Sequence, residues 1–239
     1  MHPPLRILSA GSLRDALTAH AATQPGPFDL VFGPAGLLRE RIEQGEPCDL
    51  FLSASMAHPE TLARRTGAAA ILFARNPFLA IARKQVGLTP DNFLACLLDP
   101  AIRLGTSTPG ADPSGDYADA MFDLADRLHQ GAAAHLREKA LRLVGGRIPA
   151  QVPEGSNPIA HFLTNGTADI FLGYRSGARH HADAFDVVLP PPPLRVVADY
   201  GMLVSAATPQ RRAAADSFAA SLLSPAGQAG LAAHGLAPL

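Results

Sequence analysis

Short apolar runs alternate with segments of helical periodicity along the whole chain, and no other feature of the sequence limits its fold as strongly. Residues 5–10 and 28–32 have the apolar character of buried strands, whereas residues 13–22 and 36–45 repeat apolar side chains at helical spacing. Strands and helices that alternate in this way pack as helices on both faces of a mostly parallel sheet. The sequence therefore predicts an α/β fold of the doubly wound kind.

The rest of the chain continues the alternation. Further strands are predicted at 49–53, 71–83 with a break at Asn76-Pro77, 102–106, 169–174 and 196–206, and further helices at 59–65, 90–98, 117–130, 157–165 and 209–223. The four prolines at 190–193 predict a stiff, extended segment, because each ring fixes φ and excludes helix. The pattern fits either one continuous sheet or two lobes joined by two crossover segments, and periodicity alone does not decide between them.

The composition excludes several classes of function. Apolar residues make up 47% of the 239 residues, which is ample for packed cores. Because 20 basic residues stand against 21 acidic ones, the chain has no excess of positive charge to follow a nucleic-acid backbone. No apolar stretch approaches the roughly 18 residues that a membrane-spanning helix needs. We therefore expect a globular protein that neither binds nucleic acid nor crosses a membrane.

The first residues bear on where the protein acts. They lack the basic flank and apolar run of a signal peptide, and the first predicted strand begins at Leu5. We expect a periplasmic protein whose signal peptide is absent from this sequence, or a cytoplasmic one if Met1 is the native start.

Four turns rich in glycine or hydroxyl residues each follow a predicted strand and precede a predicted helix. They are Ala-Gly-Ser-Leu at 10–13, Gly-Pro-Ala-Gly at 33–36, Asp-Pro-Ser-Gly at 112–115 and Glu-Gly-Ser-Asn at 154–157. A helix start leaves unpaired N–H groups and about half a positive charge, so such a turn can bind an anion without Lys or Arg. Each turn taken singly is more typical of ordinary helix capping than of anion binding, and only the four together favour a binding site. If the four converge between two lobes, they form a neutral cage of donors suited to a tetrahedral dianion.

Tyr174 ends the apolar run at 170–173. A tyrosine at a strand end either packs with its hydroxyl in water or donates that hydroxyl to a ligand. It is therefore a candidate fifth member of the cage.

Several segments resemble those of one known protein family, and they occur in the same order along the chain. These segments are Leu-Ser-Ala-Gly-Ser-Leu at 8–13, the helix-to-strand run at 37–54, Pro-Ser-Gly-Asp-Tyr-Ala at 113–118, Ala-Asp-Ile-Phe-Leu-Gly-Tyr-Arg-Ser at 168–176 and the closing segments at 218–228 and 235–238. In these segments the chain resembles the periplasmic molybdate-binding proteins of ABC importers, which have the class II periplasmic-binding-protein fold. The resemblance implies two doubly wound lobes joined by two crossover segments, lobe 1 at 1–80 and 197–239 and lobe 2 at 81–196.

The resemblance also implies a set of ligand-binding residues. Carried over by position, Ser12 supplies its hydroxyl and N–H, Ala35, Ser114 and Ser156 supply backbone N–H groups, and Tyr174 supplies its hydroxyl; Gly11, Gly36 and Asp112 lie beside them. The turn at 33–36 departs from the family, which commonly has serines there. Loss of one hydroxyl donor to an anion costs about 1.5–3 kcal/mol unless another hydroxyl compensates.

Asp112 permits two interpretations. The Asp112-Pro113 step resembles an archaeal branch in which an acidic residue helps to coordinate the metal centre of the anion. That branch has a second acidic residue directly before the tyrosine, where this chain has Gly173. We therefore expect Asp112 to cap a turn.

The function implied is that of a monomeric, non-enzymatic receptor without cofactor or metal site, which delivers molybdate or tungstate to a membrane permease. Its two lobes are expected to close about crossovers at 76–84 and 195–202, with little dependence on pH between about 6 and 8. One alternative is a receptor for sulfate, phosphate or a metal chelate, the chelate held through His180-His181, which we expect to be solvated in an exposed turn. The other is an α/β enzyme acting on an anionic substrate, which the absence of nucleophile-elbow, Walker and dinucleotide motifs disfavours.

Overall fold

The computed structural model describes residues 3–148, 151–179 and 181–239. Its strands are β1 (Leu5–Ala10), β2 (Phe28–Gly33), β3 (Leu50–Ser53), β4 (Ile71–Ala82), β5 (Leu104–Ser107), β6 (Leu141–Val144), β7 (Ile170–Tyr174), β8 (Asp186–Val188) and β9 (Val197–Val204). Its helices are α1 (Arg14–Ala21), α2 (Ala35–Glu43), α3 (Ala57–Thr66), α4 (Phe93–Leu98), α5 (Pro113–Leu128), α6 (Ala132–Lys139), α7 (Pro158–Thr164), α8 (Arg175–Ala178), α9 (Pro209–Leu223) and α10 (Pro225–Ala233). Short 3-10 turns lie at Gly11–Leu13, Lys84–Val86 and Pro192–Leu194.

The chain forms two compact units. Unit 1 runs to Asn76 and resumes at Ala198, and unit 2 comprises Pro77–Val197. The chain thus crosses from unit 1 to unit 2 between Asn76 and Pro77 and returns after Val197. The sequence prediction has these crossings at 80/81 and 196/197.

In unit 1 the strand order is β2-β1-β3-β9-β4. β1 pairs in parallel with β2 and with β3, while β9 runs antiparallel to β3. β1 and β3 are buried along nearly their whole length, as expected for strands covered by helices on both faces. The carboxyl ends of β1, β2 and β3 therefore lie at one edge of the sheet, and a helical segment follows each of them within a few residues.

In unit 2 β5 pairs in parallel with β6 and β7, while β4 runs antiparallel to β7 and β8. The core of this sheet includes the fully buried side chains of Leu79, Ile81 and Phe171. The α/β class is confirmed. The sheets are more mixed than the predicted mostly parallel arrangement, since β9 runs against β3, and β4 runs against β7 and β8.

Two details of the prediction are wrong. β4 continues through Asn76-Pro77 without the expected break, because an extended strand tolerates the fixed φ of proline and loses one N–H donor only. Pro192–Leu194 forms a 3-10 turn although the proline run was expected to exclude helix. Proline is compatible with a first helical turn, where its missing N–H is not needed.

Several elements have no counterpart in the prediction: α6, α8, α10, β6 and β8. α6 is rich in alanine and shows little apolar periodicity, and β8 has three residues. None of the helices in the described ranges combines the length and the apolar character required to cross a bilayer.

Candidate functional site

The register of unit 1 places the turns of Ser12 and Ala35 side by side. Ala10, the last residue of β1, is paired with Gly33, the last residue of β2. Ser12 lies in the 3-10 turn Gly11–Leu13 that follows β1, and Ala35 is the first residue of α2. Two of the predicted ligand-binding residues therefore lie at the same edge of one sheet.

Ser12 is hydrogen-bonded through its side chain. Its Oγ lies 2.8 Å from the hydroxyl of Tyr200, and Asn76 Nδ2 donates to that same hydroxyl at 3.0 Å. Tyr200 and Asn76 are fully buried, while Ser12 is partly exposed. The Tyr200 ring also packs edge-on against Phe73 at 6.2 Å between centroids. Sequence reasoning missed Tyr200 and Asn76, since each lies inside a strand and carries no local motif.

The start of α2 has no side-chain cap. Pro34 occupies the N-cap position, and the first helical bond runs from Leu38 N–H to Pro34 O at 3.0 Å. The N–H groups of a first helical turn have no acceptor inside the helix. Ala35 and Gly36 thus present backbone donors at this edge without the hydroxyl that a serine would add.

A third turn at the same edge was not predicted. Ser53 ends β3 and is fully buried, and its Oγ accepts a hydrogen bond from Ser55 N–H at 3.0 Å. The Oγ of Ser55 in turn accepts from Ala57 N–H at 3.2 Å, where α3 begins. Ser-Ala-Ser between a strand and a helix is the same signature as the four turns identified in the sequence, so the signal was available.

In unit 2 the start of α5 is capped by Asp112. Its Oδ1 accepts from Ser114 N–H at 3.0 Å, and its carbonyl oxygen accepts from Gly115 N–H at 2.9 Å. Asp112 therefore caps the turn as predicted. The Ser114 N–H that the resemblance assigns to the ligand is bonded to this carboxylate.

The carboxyl group of Asp112 is electrostatically unusual. Burial raises its pKa to about 6, and the neighbouring charge of Asp116 acts in the same direction, against hydrogen bonds from Ser114 N–H and the Ser107 side chain. A group with this pKa titrates at the lower end of the range in which we expected no pH dependence. We therefore predict a pH dependence of binding that was not expected from the sequence.

Two glycines are required by the packing around Asp112. A Cβ on Gly115 would lie 2.5 Å from Pro109 N and 2.6 Å from Thr108 C, so α5 approaches the loop after β5 too closely for a side chain. Gly145 has a φ of 74°, and a Cβ there would lie 2.5 Å from Asp112 Oδ2. Gly145 therefore leaves room for the Asp112 carboxyl group, and Gly115 lets α5 approach the loop after β5.

Tyr174 lies at the same end of unit 2 as Asp112. It is the last residue of β7, and the parallel pairing of β7 with β5 brings the carboxyl ends of both strands to one edge. Its ring packs edge-on against Phe78 at 5.6 Å and against Tyr117 of α5 at 6.3 Å. Tyr174 is 9% exposed, so these contacts hold the ring in one orientation.

Ser156 is placed differently from the other candidates. It is exposed, and its N–H donates to Pro153 O at 3.0 Å within a turn. The residue that caps α7 is Asn157, whose Oδ1 accepts from the N–H groups of Ile159 at 3.0 Å and Ala160 at 3.2 Å. In this structure the amide of Ser156 is thus used within its own turn.

His181 is buried, whereas we expected a solvated histidine in an exposed turn. His181 is 6% exposed and packs against Phe185, with 6.2 Å between ring centroids. Phe185 belongs to the core of unit 2, so His181 packs against that core. His180 lies outside the described residues. Within the described ranges, no group of three His, Cys, Asp or Glu side chains is placed to hold a metal ion.

Three solved structures share this fold. A periplasmic molybdate-binding protein from Azotobacter vinelandii is 16% identical, with a TM-score of 0.76 over 98% of this chain and 99% of that one. The substrate-binding domain of a candidate molybdenum ABC transporter from Clostridium difficile is 21% identical, with a TM-score of 0.68 over 99% of each chain. A sulfate-binding protein from Mycobacterium tuberculosis is 14% identical, with a TM-score of 0.75 over 100% of this chain and 88% of that one. These likenesses confirm the class II periplasmic-binding-protein fold.

Sequence comparison identifies the family. An uncharacterized protein of Pasteurella multocida is 42% identical over 188 residues, which cover 75% of this chain and 78% of the relative. The model of the bacterial extracellular solute-binding proteins matches residues 5–237. Family and fold are those of solute-binding proteins and not of enzymes, as the sequence predicts. The chain belongs to the bacterial extracellular solute-binding proteins.

Proposed function

We propose that this solute-binding protein serves an ABC importer and captures a tetrahedral oxyanion, with molybdate or tungstate as its principal ligand. The observation that carries the proposal is the pairing of Ala10 with Gly33. It sets a serine turn and an uncapped helix start side by side, and both present neutral donors of the kind that bind anions at helix N-termini. Two comparisons support the proposal: the chain belongs to the solute-binding family, and its fold is shared by the molybdate-binding protein of Azotobacter vinelandii.

Unit 2 contributes a second group of candidates to the proposal. Tyr174 and the start of α5 lie at one sheet edge, with the tyrosine ring held by Phe78 and Tyr117. An oxyanion that takes the N–H of Ser114 must replace the Asp112 carboxylate as its acceptor. A neutral, protonated Asp112 yields that N–H more readily than an ionised one, because charged acceptors hold hydrogen bonds more strongly.

The proposal also includes a choice among oxyanions, in which molybdate or tungstate is preferred to sulfate. A sulfate-binding protein resembles this fold as closely as the molybdate-binding one does, with TM-scores of 0.75 and 0.76. Sulfate is therefore the second candidate ligand. A metal chelate held by the histidine pair is less favoured, since His181 is packed against Phe185.

The experiment is isothermal titration calorimetry of the purified protein with molybdate, tungstate, sulfate and phosphate at pH 7.5. We expect saturable binding of one molybdate or tungstate per chain, with sulfate and phosphate much weaker. Absence of binding by all four would contradict the oxyanion function. Tighter binding of sulfate than of molybdate would retain the oxyanion function and reject the proposed ligand.

The partner in this function is a membrane permease, and the site of action is the periplasm. The receptor is proposed to act as a monomer, which sedimentation with and without molybdate would test. A dimer in both conditions would reject that part.

A further inference from the structure

Unit 1 contains a chain of three polar side chains at the edge where Ser12 lies. Asn76 Nδ2 donates to the Tyr200 hydroxyl at 3.0 Å, and that hydroxyl lies 2.8 Å from Ser12 Oγ. Asn76 and Tyr200 have no exposed surface. Burying an amide and a phenol inside two strands costs free energy unless both are hydrogen-bonded, and the Asn76–Tyr200 bond meets part of that need.

The direction of these hydrogen bonds decides what Ser12 can offer a ligand. The side-chain NH₂ of Asn76 is a donor only, so the oxygen of Tyr200 accepts from it. The bond between Tyr200 and Ser12 Oγ can run in either direction. If Tyr200 donates to Ser12 Oγ, the hydroxyl proton of Ser12 stays free to donate to a ligand. If Ser12 donates to Tyr200 instead, its proton is used in that bond and only the lone pairs of its oxygen face a ligand. An oxyanion needs the first arrangement, because it accepts hydrogen bonds and has none to donate.

We infer that Tyr200 and Asn76 are positioning residues that make Ser12 a hydrogen-bond donor to the bound oxyanion. The proton order runs from the Asn76 amide to the Tyr200 hydroxyl, then to the Ser12 hydroxyl and the anion. Each donation polarises the next hydroxyl, which strengthens the terminal bond in a poorly solvated setting. The inference rests on the proposed function, in which Ser12 contacts the ligand.

The geometry of Tyr200 suits this role. Its ring packs edge-on against Phe73 at 6.2 Å, so the hydroxyl position is set by packing and not by the ligand. Ser12 lies in a short 3-10 turn and is partly exposed. The rigid tyrosine therefore orients the more exposed serine, and not the reverse.

The test is a double-mutant cycle read out by calorimetry with molybdate. Tyr200→Phe keeps the ring and removes the hydroxyl, and we expect about tenfold weaker binding. Ser12→Ala should weaken binding at least as much, and adding Tyr200→Phe to it should change the affinity by less than about twofold, since the terminal donor is already gone. Ser12→Thr, which keeps a hydroxyl, should remain sensitive to Tyr200→Phe.

The matched control is Ser205→Ala. Ser205 Oγ donates to Cys48 O at 2.7 Å, a bond in the same unit that is not part of the chain. This variant should lower the thermal midpoint and leave the affinity for molybdate unchanged. Should Tyr200→Phe fail to fold, Asn76→Ala serves as the second variant. In the wild-type background it should weaken molybdate binding by about threefold or more, and in the Ser12→Ala background it should leave the affinity unchanged.

The outcomes separate the inference from the proposed function. Wild-type protein that binds no oxyanion overturns both. Wild-type protein that binds molybdate, with a folded Tyr200→Phe variant of equal affinity, overturns the inference alone. Additive losses in the double mutant also overturn it, because they assign Tyr200 an effect that does not pass through Ser12.

Discussion

Asp112 and Ser114 are joined by a hydrogen bond of 3.0 Å from the Ser114 N–H to the Asp112 carboxylate, at the first turn of α5. The carboxylate thus occupies a backbone donor of the kind that binds anions at helix N-termini. Its pKa is raised to about 6, principally by burial. Protonation of this carboxyl group weakens its hold on the Ser114 N–H, because a neutral acceptor binds a donor less strongly than a charged one.

The affinity for oxyanions should rise as the pH falls from 7.5 to 5.5. Protonation of Asp112 removes a negative charge that repels the ligand and loosens its hold on Ser114 N–H. We expect a gain of about tenfold in affinity for sulfate or molybdate, from the weakened like-charge interaction. Calorimetry across this pH range checks it. Asp112→Asn should abolish the dependence, and a wild-type affinity that is flat with pH would contradict the prediction.

Asp112→Asn should also stabilise the protein at pH 7.5. A carboxyl group whose pKa is raised from 3.8 to about 6 on folding binds its proton more tightly in the folded state, so ionisation at higher pH costs stability. This loss in the free energy of unfolding reaches its full size above about pH 6 and disappears below about pH 4. We expect a gain on the order of 2 kcal/mol in the free energy of unfolding at pH 7.5, and almost none at pH 4.

Urea unfolding at the two pH values measures this gain. Asparagine caps helices as well as aspartate does, so the cap is preserved. Asp112→Ala is the control, since it removes the charge and the cap together and should gain about 1 kcal/mol less. An Asn variant that is no more stable at either pH would reject the assignment of the raised pKa.

Gly115→Ala should destabilise the protein strongly. The added methyl group would meet backbone atoms at 2.5 Å and 2.6 Å, which cannot move without shifting α5. We expect a loss of about 2–3 kcal/mol in the free energy of unfolding. Gly11→Ala is the control, because its Cβ would meet no atom within 4 Å, and a change below about 0.5 kcal/mol is expected. Equal stability of the two variants would contradict the close approach at Gly115.

Asp169→Asn should lower stability at neutral pH and matter little in acid. Hydrogen bonds from Arg103, with a further one from Arg83, lower the pKa of Asp169 to about 2. A depressed pKa contributes stability that is present above pH 4 and is lost as the pH falls toward 2. Because Arg103 is largely exposed, we expect a loss on the order of 1 kcal/mol at pH 7. Thermal unfolding at pH 7 and pH 2.5 measures it, and an unchanged midpoint at pH 7 would contradict it.

Tyr174→Phe should weaken oxyanion binding by about tenfold or more, the effect of one hydrogen bond to a charged group. The ring contacts with Phe78 and Tyr117 are retained, so the fold should persist. Calorimetry at pH 7.5 measures the affinity, and circular dichroism confirms the fold. Unchanged affinity would remove Tyr174 from the site.

The α/β class, the positions of most strands and the family were determined by the sequence alone. The reason is local: apolar spacing identifies strands and helices, and an ordered set of short motifs identifies relatives. The helix at Pro209–Leu223 was predicted with its observed limits. A proline at its start and the absence of glycine inside it are local signals, which the sequence shows directly. α6 and β8 were missed because neither carries a strong local period.

The ligand-binding residues remain predictions, but their surroundings depend on tertiary structure. Tyr200 and Asn76 lie 188 and 64 positions from Ser12 in the sequence, so only the packing of β4 and β9 brings their side chains to it. Burial likewise set the pKa of Asp112 and enclosed His181 against Phe185. The sequence by itself determined which turns offer donors, since that depends on residue type and local spacing. Only the tertiary structure decided which of those donors are already bonded, because hydrogen bonding and desolvation arise between residues that the chain keeps far apart.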